Sequence, residues 1–133
     1  MKYKLILFFV VLTSFCKAQT CNYCSVDDVK KMFIEEGIKD YTDQLNQFRE
    51  QTFVYVDKNY IKTWSFKYGR CYLFEVVALN NFGFRSLTKL LNKEFKKINA
   101  TSWHDEENII ELTKKGGLYK FVFIPNFSLT IQK

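Results

Sequence analysis

Proline and histidine are almost missing from this chain of 133 residues: one of each, Pro125 and His104. Glycine is sparse too. Of five glycines only Gly116 and Gly117 adjoin, which excludes the glycine-rich loops that cradle phosphates. No G-x-S-x-G nucleophile setting is present. His104 stands in Trp103-His104-Asp105-Glu106-Glu107, and this reads as a hydrophilic turn, because no nucleophile or second ligand accompanies it. The sequence therefore assigns no enzyme, calls for no cofactor and names no metal site. The apolar run Leu5 to Leu12 is far short of the ~20 residues that span a bilayer.

That run has a different use. Lys2 and Lys4 precede it and the small, polar stretch Thr13 to Ala18 follows it, the layout of a secretory signal. Residues 1–18 are expected to be a cleaved leader, and residues 19–133 one domain. The alternative, a lipid anchor on Cys16, is disfavoured because Phe15 stands where a small residue is required. The expected location is periplasmic or secreted. Without the leader the formal charge falls from +6 to +3, unevenly spread: residues 19–57 hold eight acids and four bases, residues 58–133 thirteen bases and six acids. Such a split either solvates separate faces or offers a basic surface to an anionic partner.

Three cysteines remain after the leader: Cys21, Cys24 and Cys71. In an oxidising compartment two are expected to pair. A bridge from the N-terminal pair to Cys71 closes a loop of about fifty residues, worth about 2–4 kcal/mol. Redox catalysis by the C-x-x-C is disfavoured, since both cysteines precede the helix cap at Ser25 and no strand leads into them. A zinc set of Cys21, Cys24, Cys71 and His104 has the right first spacing, but its last two ligands come singly from distant places. These four residues are the alternative reading, a small cell-envelope enzyme or thiol/metal site.

What the chain has in abundance is aromatic residues, 18% of the total. They concentrate in T-F-V-Y-V, Y-I-K-T-W-S-F-K-Y and C-Y-L-F-E-V-V-A-L between Thr52 and Leu79, separated by Asp57-Lys58-Asn59 and Tyr68-Gly69-Arg70. β-Branched and aromatic residues bounded by turns predict an antiparallel three-strand meander. Tyr60, Trp64, Phe66 and Tyr68 alternate onto one face with Lys62 among them, so the sheet has one strongly aromatic face. Those five residues are the candidate surface for a protein or apolar ligand. Nucleic acid is not expected, given the weak net charge of an exported chain.

Around the meander, Ser25 with Asp28 forms a capping box for a helix carrying Val26, Val29, Met32 and Phe33 on one face, and Gly37 ends it. Ile38, Tyr41, Leu45 and Phe48 recur at helical spacing and favour a second helix over residues 38–50. Ser86 caps a helix with the stripe Leu87, Leu90, Leu91, Phe95 and Ile98. Asn108 to Lys114 and Leu118 to Ile124 flank a Gly116-Gly117 turn as a hairpin, and Phe127 to Ile131 adds a short edge. Residues 69–76 and 117–124 look alike, as in an internal duplication. The expected fold is α+β: an antiparallel sheet of about five strands, two or three helices on one face, in the order helix, (helix), three strands, helix, two strands. Asn99-Ala100-Thr101 and Asn126-Phe127-Ser128 match the glycosylation sequon.

Overall fold

The computed structural model describes residues 24–125. The leader, Cys16, Cys21, the edge expected at Phe127 to Ile131 and the second sequon lie outside the described residues.

The first helix, α1 (Val26–Glu36), forms where its capping box predicts: the Asp28 N–H donates to Ser25 Oγ and the Ser25 N–H to Asp28 Oδ2, each at 3.2 Å. Gly37, left-handed at φ 72°, ends it. Four strands follow: β1 (Tyr41–Leu45), β2 (Gln51–Val56), β3 (Tyr60–Lys67) and β4 (Arg70–Ala78). A second helix, α2 (Asn81–Glu94), leads into β5 (Lys96–Asn99), β6 (Ser102–His104), β7 (Asn108–Lys115) and β8 (Leu118–Pro125). All eight strands make one antiparallel sheet ordered β1-β2-β3-β4-β8-β7-β6-β5.

The sheet thus has eight strands where the sequence predicts about five. Residues 38–50 are not a helix. They form β1 and its turn. An edge strand half in water shows no clean alternation, and in β1 only Tyr41 reaches the core, 4.7 Å from the Phe33 ring. The α2 helix starts five residues before Ser86, because Asn80 Oδ1 accepts from the Gly83 N–H at 2.8 Å and acts as the cap. It also stops earlier. Phe95 is extended, and Lys96 to Asn99 turn into the edge strand β5 although their spacing suits a helix.

One cross-strand row explains the packing. Phe53, Trp64, Phe74, Phe123, Ile110 and Trp103 are direct neighbours across six strands, and all are buried. Val29, Met32 and Phe33 of α1 and Leu87, Leu90 and Leu91 of α2 join the same core cluster, so both helices cover this face. The Phe33 ring meets Trp64 edge-on at 4.8 Å. Gly83 lets α2 approach the β2–β3 turn, where a Cβ would sit 2.8 Å from the Asn59 carbonyl.

The order describes two α-β-β-β-β units, α1 to β4 and α2 to β8, that meet along β4 and β8. Phe74 pairs with Phe123, Glu75 with Val122 and Val76 with Phe121. Matching the units strand by strand makes Glu75 and Val122 counterparts that pair with each other, so an internal two-fold passes between them. The resemblance of 69–76 to 117–124 reflects this repeat but slips by one residue. Tyr72 is an extra residue in β4, since Ser65 pairs with Leu73 and Phe66 with Cys71. Beyond this bulge Phe74 corresponds to Phe121 and Val76 to Phe123, which keeps buried residues on the covered face.

Candidate functional site

The covered face takes most of the aromatic residues that the sequence singles out. Tyr60, Lys62, Trp64 and Phe66 are buried beneath the helices, whereas Tyr68 is 95% exposed in the β3–β4 turn. The five residues do not form one surface. Lys62, 5% exposed, lies 6.0 Å from the Tyr55 ring centre and 5.8 Å from that of Tyr60. Burial holds its ammonium below the ordinary lysine value, and Asp57 and Glu36 oppose that shift. Burial, helped by Asp57, pushes the Tyr60 phenol up to about 12, and its hydroxyl donates to the Gly83 carbonyl at 3.0 Å. Trp64 Nε1 finds no acceptor among the described residues.

Concavity appears at the end of the sheet where the β1–β2 and β3–β4 turns stand side by side. Residues 48–51, 66–69 and Tyr72 line a groove of about 620 Å³, within the usual range for binding clefts. Phe48 stands on its rim, 72% exposed, as does Tyr68. Arg49 and Lys67 add two cations and Glu50 one carboxylate.

The β1–β2 turn is built by Asn46. Its Oδ1 accepts from the N–H groups of Phe48 (2.8 Å) and Glu50 (3.0 Å), and its Nδ2 donates to Glu50 Oε1. Tyr72, projected by the bulge in β4, donates its hydroxyl to the same Glu50 oxygen at 2.7 Å. That bond, then the one from Asn46, holds the Glu50 carboxyl below its ordinary value. Burial and the Glu50 contact push the Tyr72 phenol up to about 12. Glu50 is therefore engaged within the wall, which leaves Phe48, Tyr68, Arg49 and Lys67 facing outward.

Backbone conformation marks the same place. Arg49 (φ 60°) and Tyr68 (φ 54°) are the non-glycine residues with left-handed backbone among the described residues, and both line the groove. Such a conformation costs an L-residue ~1–2 kcal/mol and is normally given to glycine or asparagine. Tyr68-Gly69 closes a two-residue hairpin between Lys67 and Arg70. The corresponding hairpin of the second unit is closed by Gly116-Gly117, the residues this turn favours.

The remaining candidates disperse. Cys71 is a buried free thiol, pushed by burial up to about 11, so the expected staple to it is not formed. Its N–H nevertheless donates to the Cys24 carbonyl at 2.8 Å, which places the two residues opposite each other at the start of α1. His104 stands in β6, paired with Ile109 and Lys96 on the uncovered face, three strands from the β4 strand that holds Cys71, so the described members of the zinc set, Cys24, Cys71 and His104, do not come together. Among the described residues no group of three or more His, Cys, Asp or Glu converges, and no helix is long and apolar enough to cross a membrane. Sequence reasoning flagged Tyr68 but missed Phe48, Arg49 and Glu50. The available signal was the placing of bulky residues where tight turns favour glycine. Neither a protein-family model, nor a curated protein, nor a solved structure matches the chain.

Proposed function

We propose that this chain is an exported, non-catalytic binding domain that holds a protein partner in the groove between the β1–β2 and β3–β4 turns. Export rests on the leader-like first eighteen residues. The observation that carries the site is the coincidence of two left-handed bulky residues with two exposed aromatic side chains on one groove. Strained conformations persist where the side chain they present is useful, and exposed aromatic and arginine side chains are the usual anchors of protein recognition. With Glu50 engaged by Tyr72 and Asn46, Arg49 and Lys67 favour a segment that carries an apolar side chain beside a carboxylate.

A displayed random-peptide library tests this. Selection on the purified protein is expected to return peptides that combine aromatic residues with Asp or Glu. Their affinity should fall at least tenfold for Phe48→Ala and for Tyr68→Gly, and should weaken with salt. Peptides that bind both variants as well as the parent protein would place recognition elsewhere and refute the groove.

A further inference from the structure

The two edges of the sheet, β1 and β5, are counterparts in the two units, and they are finished differently. β5 is four residues long, two of them lysine, and a bulge at Ile98 breaks its pairing with β6. Short length, lysine and a bulge are devices that keep an edge from recruiting another strand. β1 lacks the lysine and the bulge: it holds an unbroken register with β2 from Tyr41 to Leu45 and contains no proline. The direction of its backbone groups follows from the turn. The Asn46 N–H donates to the Glu50 carbonyl at 2.9 Å, which makes these two a hydrogen-bonded pair, and such pairs alternate along an antiparallel ladder. Thr42 and Gln44 therefore bond to β2, while Tyr41, Asp43 and Leu45 turn their N–H and C=O groups away from the sheet. Among the described residues no hydrogen bond reaches these outward groups, and the side chains of Thr42, Asp43, Gln44 and Leu45 are all exposed.

An extended segment fits such an edge, because only a strand meets alternating donors and acceptors in one row. Asp43 decides against a second copy. Two β1 strands paired about their common centre would set Asp43 directly against Asp43, and like charges opposite each other are destabilising. Any other register leaves part of the outward groups unpaired. The edge also runs on into the groove. Leu45, 66% exposed, leads to Asn46 and so to Phe48 and Arg49 on the groove wall, and a strand lying on β1 extends past Leu45 onto Phe48. We propose that the protein partner binds as an added strand along β1, its backbone on Tyr41, Asp43 and Leu45 and its apolar and acidic side chains in the groove beside Phe48 and Arg49. This rests on the reading of the groove as the recognition site and adds how the partner is held. Strand pairing supplies affinity for an extended backbone, and the groove selects the side chains. A partner of this kind carries no acid opposite Asp43.

Peptides selected from the displayed library test this through their backbones. Each is remade with a single N-methyl group at successive positions and titrated against the wild-type protein. Every second N–H of an added strand faces β1. Methylation at alternate positions is therefore expected to weaken binding roughly tenfold, the worth of one backbone hydrogen bond, and methylation between them to leave it unchanged. Amide exchange read by NMR gives the view from the protein. In the free protein the Asp43 and Leu45 amides are expected to exchange rapidly and those of Thr42 and Gln44 slowly, and the peptide should slow the first pair. Asp43→Pro removes an outward N–H and no bond of the β1–β2 ladder, and should lower affinity to a similar degree. Where circular dichroism finds that variant unfolded, the methyl scan and the exchange rates decide. Peptides that lose affinity with Phe48→Ala yet tolerate every N-methyl group overturn the added strand and leave the groove reading intact. Peptides that show the alternation but ignore Phe48→Ala refute the groove and keep the strand. Asp43 and Leu45 amides already protected in the free protein, by a second copy or by another part of its own chain, overturn the proposal, and a selection that returns no binder overturns both readings.

Discussion

The two α-β-β-β-β units share a plan but differ in what they bury and what they show. In the second unit Trp103 pairs with Ile110, and both are fully buried. The counterpart pair in the first unit is Tyr55 with Lys62, a cation held between tyrosine rings. The second unit closes its central hairpin with two glycines; the first uses Tyr68-Gly69 and exposes the tyrosine. Trp103 Nε1 donates to Asn92 at 2.8 Å, whereas Trp64 Nε1 has no acceptor among the described residues. The second unit follows the rules of a stable core and tight turns. Each departure in the first costs stability, and the turn departures gather at the groove. That contrast is what makes the groove a site rather than a dent.

The comparison can be broken most severely at the buried pair. Ile110→Lys gives the second unit the residue type of the first without its tyrosine cage. It is expected to destabilise the protein by ~4 kcal/mol or more, read as a shift in the urea midpoint or as failure to fold. A smaller midpoint shift than that of Leu91→Ala would show that the second unit can also house a cation.

The reverse exchange should be milder. Lys62→Met makes the first unit apolar at this position and is expected to raise stability at neutral pH by ~1 kcal/mol. The sign follows from the lowered folded value of Lys62: the charged form opposes folding at neutral pH, and this penalty is relieved as pH rises from the folded value toward the unfolded one near 10.5. Wild-type urea midpoints should therefore gain on the variant's within that window, while the variant's fall as Cys71, pushed up to about 11 by burial, ionises first in the unfolded chain. Parallel profiles would show that Lys62 stays fully charged at no expense.

At the turns the effects are smallest and opposite in sign. Tyr68→Gly is expected to stabilise by about 1 kcal/mol while removing the exposed ring, and Gly116→Tyr to destabilise by a similar amount. Thermal melts of the two variants measure this. A Tyr68→Gly protein less stable than the parent would mean that the ring supports the fold and not a partner.

Much of the fold was legible locally. The Ser25–Asp28 box, the alternation in β3 and β4, and the Gly116-Gly117 hairpin all carry their signal within a few residues, and each forms where the pattern places it. Residues 38–50 and 95–104 did not, because β1 and β5 are edge strands with little buried surface and hence little periodicity. The aromatic stripe Tyr60, Trp64 and Phe66 could equally have been surface or core, and the helices that cover it come from either side of the meander in sequence.

The sequence by itself determined where the chain turns, which strand faces are apolar and how α1 begins, since these depend on dihedral preference, capping and side-chain alternation over short spans. Only the tertiary structure decided that eight strands join in one sheet, that Tyr72 bulges out of β4 to reach Glu50, and that the 46–50 and 67–70 turns stand together with Arg49 and Tyr68 on one rim. Strand pairing makes those meetings between residues about twenty positions apart, and no local pattern encodes which turn will stand beside which.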